Sequence, residues 1–537
     1  MILLALGFRL FIGLRFPNDT PDDGRVYAQI ARNVLEQHVY SHEEQSPFSP
    51  SLIRLPGYPL FLAAIYSVAG HGNNTMVRVV QSGIDTLTCL LISLVAFLAT
   101  GDPQRKTFAA ISAFALAAVC PFTTIYVATI LTEVPTSFLA ITLCLLAMLA
   151  FKTRNQRKAI VLWFLAGVVA GVAVCFRPDS GLFAAAVGLT ILLWALLSKS
   201  NNEKIPRRFL KAVVPTTLFS FAFCLVLVPW TIRNRRVFGV FQPLSPAHGE
   251  MPGEFVPRGY LMWLRTWLDD GRYIGPVLWR LDTSKIPIEA FPKRAFDSPE
   301  ERDRVVALLA KYNGDPGSGQ QVGISAVPQL SPVQSPSSQS DGTPQASPSA
   351  QPGEETEEED DDEPEEDVGS DEESGVEMTP EIDAAFAQLA RERIARSPLR
   401  YYVALPFKRA ISLWFDTHSQ YYPFEGNLLP LENLDYEHHQ QYWLPLFTAL
   451  TWLYTLLGAV GGWFLLRSCS KESRIYLALA GLIIFMRLGF FSTLENPEPR
   501  YVVELFPFLS TLGGIALAYL FRKQTLAPVP VSDHLPE

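Results

Sequence analysis

The chain has 537 residues, of which 49% are hydrophobic, and a mean hydropathy of +0.17. These values exclude a single soluble domain, because apolar runs of roughly 16–24 residues recur, each about long enough to cross ~30 Å of hydrocarbon. The formal net charge of −9 comes from one segment. Residues 354–377 hold sixteen acidic and no basic residues. The remainder has 44 basic and 37 acidic residues, so the body of the chain is mildly basic at +7.

The N-terminus, MILLALGFRLFIGLRF, is apolar and lacks a small-residue cleavage site before the polar stretch Pro17–Asp23. We therefore predict a retained first span and not a signal peptide. The segment is short for a span, which leaves the natural start of the chain open.

Ten segments are predicted to cross the membrane, which makes the fold a mainly α, polytopic membrane protein. Five basic clusters occupy alternate connections, and the positive-inside rule places them in the cytoplasm. All five can be cytoplasmic only if residues 17–76 form one external loop. The apolar stretch Tyr58–Gly70 in that loop, about 13 residues long, is then an interfacial or re-entrant helix. The predicted spans are about 1–16, 77–99, 107–122, 134–151, 159–176, 181–198, 210–231, 443–466, 475–491 and 503–521, and the clusters are 105–106, 152–158, 199–211, 467–474 and 522–523.

This topology divides the chain into four regions. They are an N-terminal transmembrane region (1–231), an external region (232–442), a C-terminal transmembrane region (443–523) and a cytoplasmic tail (524–537).

The centre of the external region, about 314–379, is rich in Ser, Pro and Gln and then acidic. Such a composition cannot bury enough apolar surface to offset the entropy of ordering, so we predict disorder. Order resumes at Thr379-Pro380-Glu381, which predicts a helix to about Arg396, stopped by Pro398.

Acidic candidates stand at two places on the external side. Asp22 and Asp23 precede a stretch with helical spacing, where an aspartate either caps the helix or acts as a general base. Partial desolvation at a membrane surface raises a carboxylate's pKa toward a value useful for a base. Glu133, in ILTEVP, lies at the external end of a span. It is either a water-exposed turn residue or a carboxylate retained at membrane depth for function.

Four arginines lie near span ends on the same external side, where the positive-inside rule does not explain them. They either extend to lipid headgroups or bind an anion, because the planar guanidinium binds phosphate bidentately. No Gly-rich phosphate loop stands out, which argues against a nucleotide ligand. The four are Arg54, Arg177, Arg233 and Arg500.

Little in the sequence indicates a metal or a disulfide framework. The six cysteines all lie in or beside apolar spans, and no CxxC occurs. The run Asp435–His439 is more typical of a solvated loop than of a metal site. No metal ligand is assigned, although two carboxylates on one face could hold a divalent cation, so metal dependence stays open.

The candidate residues lie in short motifs that follow one another in a recognisable order along the chain. The chain resembles the GT-C glycosyltransferases of the dolichyl-phosphate-mannose–protein mannosyltransferase type, including the bacterial aminoarabinose transferase group. The similar segments cover most of the chain outside about 250–380. In order they are Asp23-Gly-Arg-Val-Tyr27, RLPGYPLFLA, LTEVP, GVVAGVAVCFRPD, VPWTIRNRRVFGVF, RSPLRYY and PRYVVELFPFL.

The resemblance implies an inverting, mannosyltransferase-like transfer of a sugar from a polyprenyl-phosphate donor to a hydroxyl of a protein, lipid or glycan. Asp23 would match the family's catalytic base, beside Asp22, and Glu133 its second acidic position. Arg54 and Arg233 would contact the lipid phosphate, with Arg177 and Arg500 as weaker matches. The positive-inside rule predicts an outward-facing site. We also expect a bacterial-type inner membrane and no nucleic-acid partner.

Two other classes of function are compatible with the sequence. A transporter or flippase for a lipid-linked sugar would place its charges near the bilayer midplane and show repeated halves. Here the charges gather at one face and no repeat is visible, which favours the enzyme. A scaffold that recruits partners through the acidic segment is the second alternative.

Overall fold

The computed structural model describes residues 1–19, 22–197, 205–314, 376–422, 424, 438–468 and 470–521. Within these residues the fold is helical and contains no β-strand, which confirms the predicted mainly α class. The segment for which disorder is predicted lies almost entirely outside the described residues.

Seventeen α-helices form in the described residues. The first ten are α1 (Ile2–Arg15), α2 (Asp22–Glu36), α3 (Gly57–Ala69), α4 (Asn74–Ala99), α5 (Lys106–Ala118), α6 (Pro121–Thr124), α7 (Glu133–Lys152), α8 (Gln156–Phe176), α9 (Gly181–Leu197) and α10 (Ile205–Phe238). The others are α11 (Arg258–Leu264), α12 (Pro299–Tyr312), α13 (Pro380–Arg396), α14 (Leu405–Phe415), α15 (His438–Arg467), α16 (Lys471–Ser492) and α17 (Phe506–Phe521).

All ten predicted spans fall on helices. Among the described residues eight helices are long and apolar enough to cross a membrane, or nine if one bent pair counts as a span. That pair, Lys106–Ala118 and Pro121–Val127, meets at 52°. The first predicted span forms the 14-residue helix α1, which is below the usual spanning length. The chain is thus an integral, multi-pass membrane protein.

Two shorter helices also form where the sequence predicts them. Helix α3 has 13 residues, too few to cross the bilayer, and its location at the interface stays a prediction. Helix α13 starts at Pro380 after Thr379, whose hydroxyl accepts a hydrogen bond from the amide of Ile382 at 3.4 Å. The capping threonine and the proline at the first position therefore act as predicted.

Polar side chains define where several spans begin. Asn73 caps α4, Asn155 caps α8 and Ser470 caps α16, each by accepting a hydrogen bond from an amide three residues later. Such caps satisfy amides that have no partner within the helix. The long apolar helices also carry exposed apolar side chains, including Phe221 on α10 and Leu456 on α15, as lipid contact requires.

Glycines allow two of the spans to approach closely. On α8 a Cβ at Gly167 would lie 2.3 Å from the carbonyl oxygen of Phe219, and one at Gly171 would lie 2.9 Å from that of Phe223. Helices α8 and α10 thus pack backbone to backbone through two small residues four apart, as membrane helices commonly do. This contact carries Arg177, just after α8, and Arg233, near the end of α10, to the same end of the bundle.

The opposite end of the bundle holds the basic connections. Lys471 at the start of α16 donates a hydrogen bond to the carbonyl of Phe151 at the end of α7 at 2.6 Å. Ser473 likewise donates to the carbonyl of Ala99, the last residue of α4, at 2.7 Å. The predicted basic clusters near 105, 152 and 471 thus share one end.

The chain divides into two compact units, Met1–Gly275 with Asp383–Glu537 and Pro276–Ile382. The second unit contains α12. Within it, the Tyr312 phenol at the end of α12 donates a hydrogen bond to the carbonyl of Ser284 and accepts one from the amide of Asp282.

Candidate active site

Asp23 lies close to the loop before α7, because the segment before α2 runs beside that loop. An isolated β-bridge pairs Asn18 with Thr129. At the start of α2, a Cβ on Gly24 would lie only 2.9 Å from the carbonyl oxygen of Ile130. A glycine is therefore required for this approach, which places Asp23 beside the loop that leads to Glu133.

The carboxylate of Asp23 lies between two arginines. Its Oδ1 accepts a hydrogen bond from Nη2 of Arg54 at 2.7 Å, and its Oδ2 lies 3.2 Å from Nη2 of Arg500. Arg500 also pairs with Glu498 and donates a hydrogen bond to the phenol of Tyr421. The buried Nε of Arg54 makes no hydrogen bond in the structure. The segment between α1 and α3 and the segment before α17 therefore meet at Asp23.

The two arginines determine the ionisation of Asp23. Burial works to raise the pKa of this carboxyl, but the charges of Arg500 and Arg54 outweigh burial and hold the pKa below its usual range. Asp23 is therefore ionised at neutral pH. Its negative charge is compensated by groups that are themselves good ligands for an anion.

The loop that carries Arg54 is fixed at both ends. The phenol of Tyr40 donates a hydrogen bond to the carbonyl of Arg54 at 3.1 Å. At the start of α3, a Cβ on Gly57 would lie 2.6 Å from the carbonyl oxygen of Cys175. The RLPGYP motif thus turns against the end of α8 and brings Arg54 near Arg177.

Arg233 lies in an aromatic cage formed by Tyr40, Trp230 and Phe238. Its guanidinium carbon is 5.3, 4.9 and 5.1 Å, respectively, from these ring centroids. Its Nη1 donates hydrogen bonds to the carbonyl of Ser51 at 2.7 Å and to the side chain of Asn234 at 2.9 Å. Arg233 forms no ion pair with a carboxylate of the described chain, so its charge is held by rings and a backbone oxygen.

Glu133, at the first turn of α7, pairs with Arg177. Its Oε1 accepts a hydrogen bond from Nη1 of Arg177 at 2.8 Å, and its side chain is 3% exposed. Arg177 also contacts both oxygens of Asp179 at 3.1 Å. This pairing contradicts the alternative that Glu133 is a water-exposed turn residue.

Three charged residues of this region were not singled out from the sequence. Asp179 belongs to the FRPD motif, while Arg487 and Glu504 lie within predicted spans. The available signal was a charge inside an apolar stretch, which is costly and usually retained for a purpose.

Tyr27 lies close enough to Asp23, Arg54, Arg177 and Glu133 for their charges to act on its phenol. Its ring is 5.9 Å from the guanidinium carbon of Arg54. Burial raises the pKa of its phenol to about 12, with a further rise from Asp23 and opposition from Arg54 and Arg177. The phenol therefore stays protonated and remains a hydrogen-bond donor at neutral pH.

A cavity of about 660 Å³ opens beside Leu52, two residues before Arg54. It is lined by Leu52 and by the segment from Val240 to Arg258, including Glu250, Glu254 and Phe255. A Cβ on Gly249 of this segment would lie 3.6 Å from Nη1 of Arg54. The volume lies within the range of about 300–1,000 Å³ that is usual for small-molecule sites.

No group of three His, Cys, Asp or Glu side chains suited to a metal ion occurs in the part of the chain that the structure describes. The acidic groups of the site are paired with arginines instead. Of the Asp435–His439 run, residues 435–437 and both histidine side chains lie outside that part.

The structure therefore brings the predicted residues to one end of the bundle in three groups. Asp23, Arg54 and Arg500 form the first, and Glu133 with Arg177 the second. Arg233 is separate, and is connected to Arg54 through Tyr40. The side chain of Asp22 lies outside the described residues.

One comparison bears on the family. Residues 1–241 match the family model described as dolichyl-phosphate-mannose-protein mannosyltransferase. This match confirms the resemblance over the segment that carries Asp23, Arg54, Glu133, Arg177 and Arg233. No curated protein sequence matches the chain.

Two solved structures are similar to the chain. The crystal structure of ArnT from Cupriavidus metallidurans bound to undecaprenyl phosphate has 12% identity and a TM-score of 0.34, and covers 96% of this chain and 77% of that chain. The same protein in the apo state has 14% identity and a TM-score of 0.31, with 95% and 76% covered. At these TM-scores the likeness carries no conclusion about function.

Proposed function

We propose that this chain, whose residues 1–241 match the dolichyl-phosphate-mannose-protein mannosyltransferase family, is an integral-membrane glycosyltransferase. It moves a sugar from a polyprenyl-phosphate donor to an acceptor hydroxyl, with inversion at the anomeric carbon. The observation that carries this proposal is the placement of Asp23 between Arg54 and Arg500 at one end of the bundle.

This arrangement supplies the two groups that the transfer needs. Asp23, ionised at neutral pH, accepts the proton of the acceptor hydroxyl as that oxygen attacks the anomeric carbon. Arg54 and Arg500 stabilise the charge that grows on the phosphate as the bond to the sugar breaks. Phosphate is a good leaving group without protonation, so one base is sufficient.

Donor binding also changes the basicity of Asp23. In the free protein both arginines compensate its charge, which lowers the pKa and makes it a weak base. A phosphate group that contacts Arg54 and Arg500 competes with Asp23 for them. The carboxylate then loses part of its compensation and becomes a stronger base when the donor is in place.

Arg233 is proposed as a third contact to the lipid phosphate. It pairs with no carboxylate in the described chain, and rings on several sides hold its guanidinium in place. A phosphate contact by Arg177 stays a prediction. Its contacts to Glu133 and Asp179 favour a role in holding Glu133 instead.

Glu133 is proposed to orient the sugar or the acceptor, since its carboxylate can accept a hydrogen bond from a hydroxyl group. The cavity lined by Leu52, two residues before Arg54, is proposed as space for the acceptor. Helix α3, apolar and too short to span, is suited to border the path of the polyprenyl tail. In keeping with the positive-inside rule, this end of the bundle is proposed to face outward, from a bacterial-type plasma membrane.

The test is an assay of the purified protein in detergent, where transport between two compartments has no meaning. Polyprenyl-phosphate-linked sugars, including mannose and aminoarabinose, are combined with peptide, lipid and glycan acceptors, with and without a chelator. Release of polyprenyl phosphate together with a glycosylated acceptor is expected for at least one combination. Binding of donors without consumption of any would favour a transporter.

A further inference from the structure

Five buried side chains form an ion cluster beside Asp23: Glu133, Arg177, Asp179, Arg487 and Glu504. Nη2 of Arg487 lies 2.8 Å from Oδ2 of Asp179 and 2.8 Å from Oε2 of Glu504. Oε1 of Glu504 is 3.4 Å from Nη1 of Arg177, which in turn holds Glu133. Helix α16 and the segment before α17 thus contribute to a site whose other members lie in the region matched by the family model.

Burying these five charged groups is energetically costly, which indicates that the ion cluster does more than join helices. The side chains of Arg487 and Glu504 are 0% exposed, and buried charges of this kind lose several kcal/mol of hydration each. Three carboxylates face two guanidinium groups, so the fully ionised cluster carries an excess negative charge. Polar atoms of Glu133, Arg487 and Glu504 also remain without hydrogen bonds, namely Oε2, Nη1 and Oε1, respectively.

A second buried ion pair in the bundle provides a contrast. Arg9 on α1 pairs with Asp85 on α4 at 2.6 Å. Its remaining donors reach the carbonyls of Ala5, Ala117 and Ala118 and the sulfur of Cys89. This pair is balanced in charge and well satisfied, as expected for a purely structural contact.

We propose that Arg487 and Glu504 are positioning residues for sugar transfer, an inference that rests on the proposed function. They fix Arg177 and Asp179, and Arg177 then holds Oε1 of Glu133. The other oxygen, Oε2, is buried and free of hydrogen bonds in the structure. It is thereby presented to a hydroxyl group of the sugar or the acceptor, which donates a hydrogen bond to it.

If Arg487 and Glu504 position Glu133, their loss should lower turnover and leave donor binding unchanged. Loss of Arg487 or Glu504 lets Glu133 shift, while Arg54, Arg233 and Arg500 keep their contacts. We expect Arg487→Met to lower kcat at least about tenfold per folded protein, as small misplacements near a reacting centre do. KM for the polyprenyl-phosphate sugar and the Kd for undecaprenyl phosphate should stay within about twofold of wild type.

Conservative variants and a matched control complete the test. Arg487→Lys should recover part of the lost kcat, and Glu504→Gln, which keeps an acceptor for Arg487, should retain more activity than Glu504→Ala. Arg9→Lys and Asp85→Asn should lower thermal stability while leaving kcat per folded protein unchanged.

Either of two results overturns the proposal. One is wild-type kcat in folded Arg487→Met or, if that variant does not fold, in folded Glu504→Ala. The other is a weakening of undecaprenyl phosphate binding as large as the loss of kcat. Failure of the proposed function is distinct, because wild-type protein would then transfer no sugar.

Discussion

Oδ1 of Asp23 lies 2.7 Å from Nη2 of Arg54, thirty-one residues further along the chain. The pair shows why a proposed base and a proposed phosphate ligand occur together. Each group neutralises the other in the free protein, and an incoming phosphate replaces the carboxylate as partner of the arginine. Under the proposed function, the contact represents the resting state of a site that binds the donor phosphate.

The lowered pKa of Asp23 predicts the pH dependence of transfer. The base is active when ionised, so kcat/KM, which reports the free enzyme, should fall only at pH values below the usual range of an aspartate. Arg500→Gln removes the largest charge that lowers this pKa, so the acidic limb should move to higher pH. The measurement is kcat/KM against pH for both proteins. An identical acidic limb in the variant would show that Arg500 does not act on the base.

Arg233→Ala should weaken donor binding. Loss of one charge-assisted contact to phosphate costs about 1.5–3 kcal/mol, or roughly tenfold or more in Kd for undecaprenyl phosphate. Arg236→Ala, an exposed arginine near the end of the same helix, is the matched control and should change Kd little. Equal effects of the two substitutions in a titration would indicate general electrostatic attraction and not a specific contact.

Asp416, just after α14, predicts a pH-dependent stability. Burial, reinforced by the charge of Asp270, raises the pKa of this carboxyl to about 7. The folded state thus keeps a proton that the unfolded state releases near pH 4, so this group's contribution to stability falls as pH rises from about 4 to 7.

Asp416→Asn should therefore stabilise the protein at pH 8, by on the order of 1–3 kcal/mol, and have little effect near pH 4.5. An asparagine oxygen can still accept the hydrogen bond from the amide of Thr417 at 2.6 Å. The thermal midpoint in detergent at the two pH values is the measurement. An equal change at both would contradict the assignment.

Much of the fold follows from patterns that the bilayer imposes. Apolar runs and alternating basic connections locate every predicted span on a helix, and the start of α13 follows from Thr379 and Pro380. The gathering of Asp23, Arg54, Glu133, Arg177, Arg233 and Arg500 at one end was also predictable, because it depends only on which end of each span a residue occupies.

Pairing within the site could not be read from the sequence. Span ends locate a residue along the membrane normal but not around the bundle, so they do not show that Asp23 meets Arg500 while Glu133 meets Arg177. The contact of Arg233 with Tyr40, which in turn bonds to Arg54, was not predictable either, because Tyr40 lies in the segment between α2 and α3 without a distinguishing pattern. The break of α5 at Cys120 before Pro121 shortened a predicted span, since the residue before a proline disfavours helical geometry.

The central claim, that Asp23 is the base of a sugar transfer, is tested most directly by Asp23→Asn. Asp19→Asn is the control. Asp19 lies four residues before Asp23 and also pairs with an arginine, Arg78 on α4. With a donor and acceptor that wild-type protein uses, we expect Asp23→Asn to lose at least about 100-fold in kcat. We also expect this variant to fold normally and still bind undecaprenyl phosphate, while Asp19→Asn stays active. Wild-type kcat in folded Asp23→Asn would show that Asp23 is not the base.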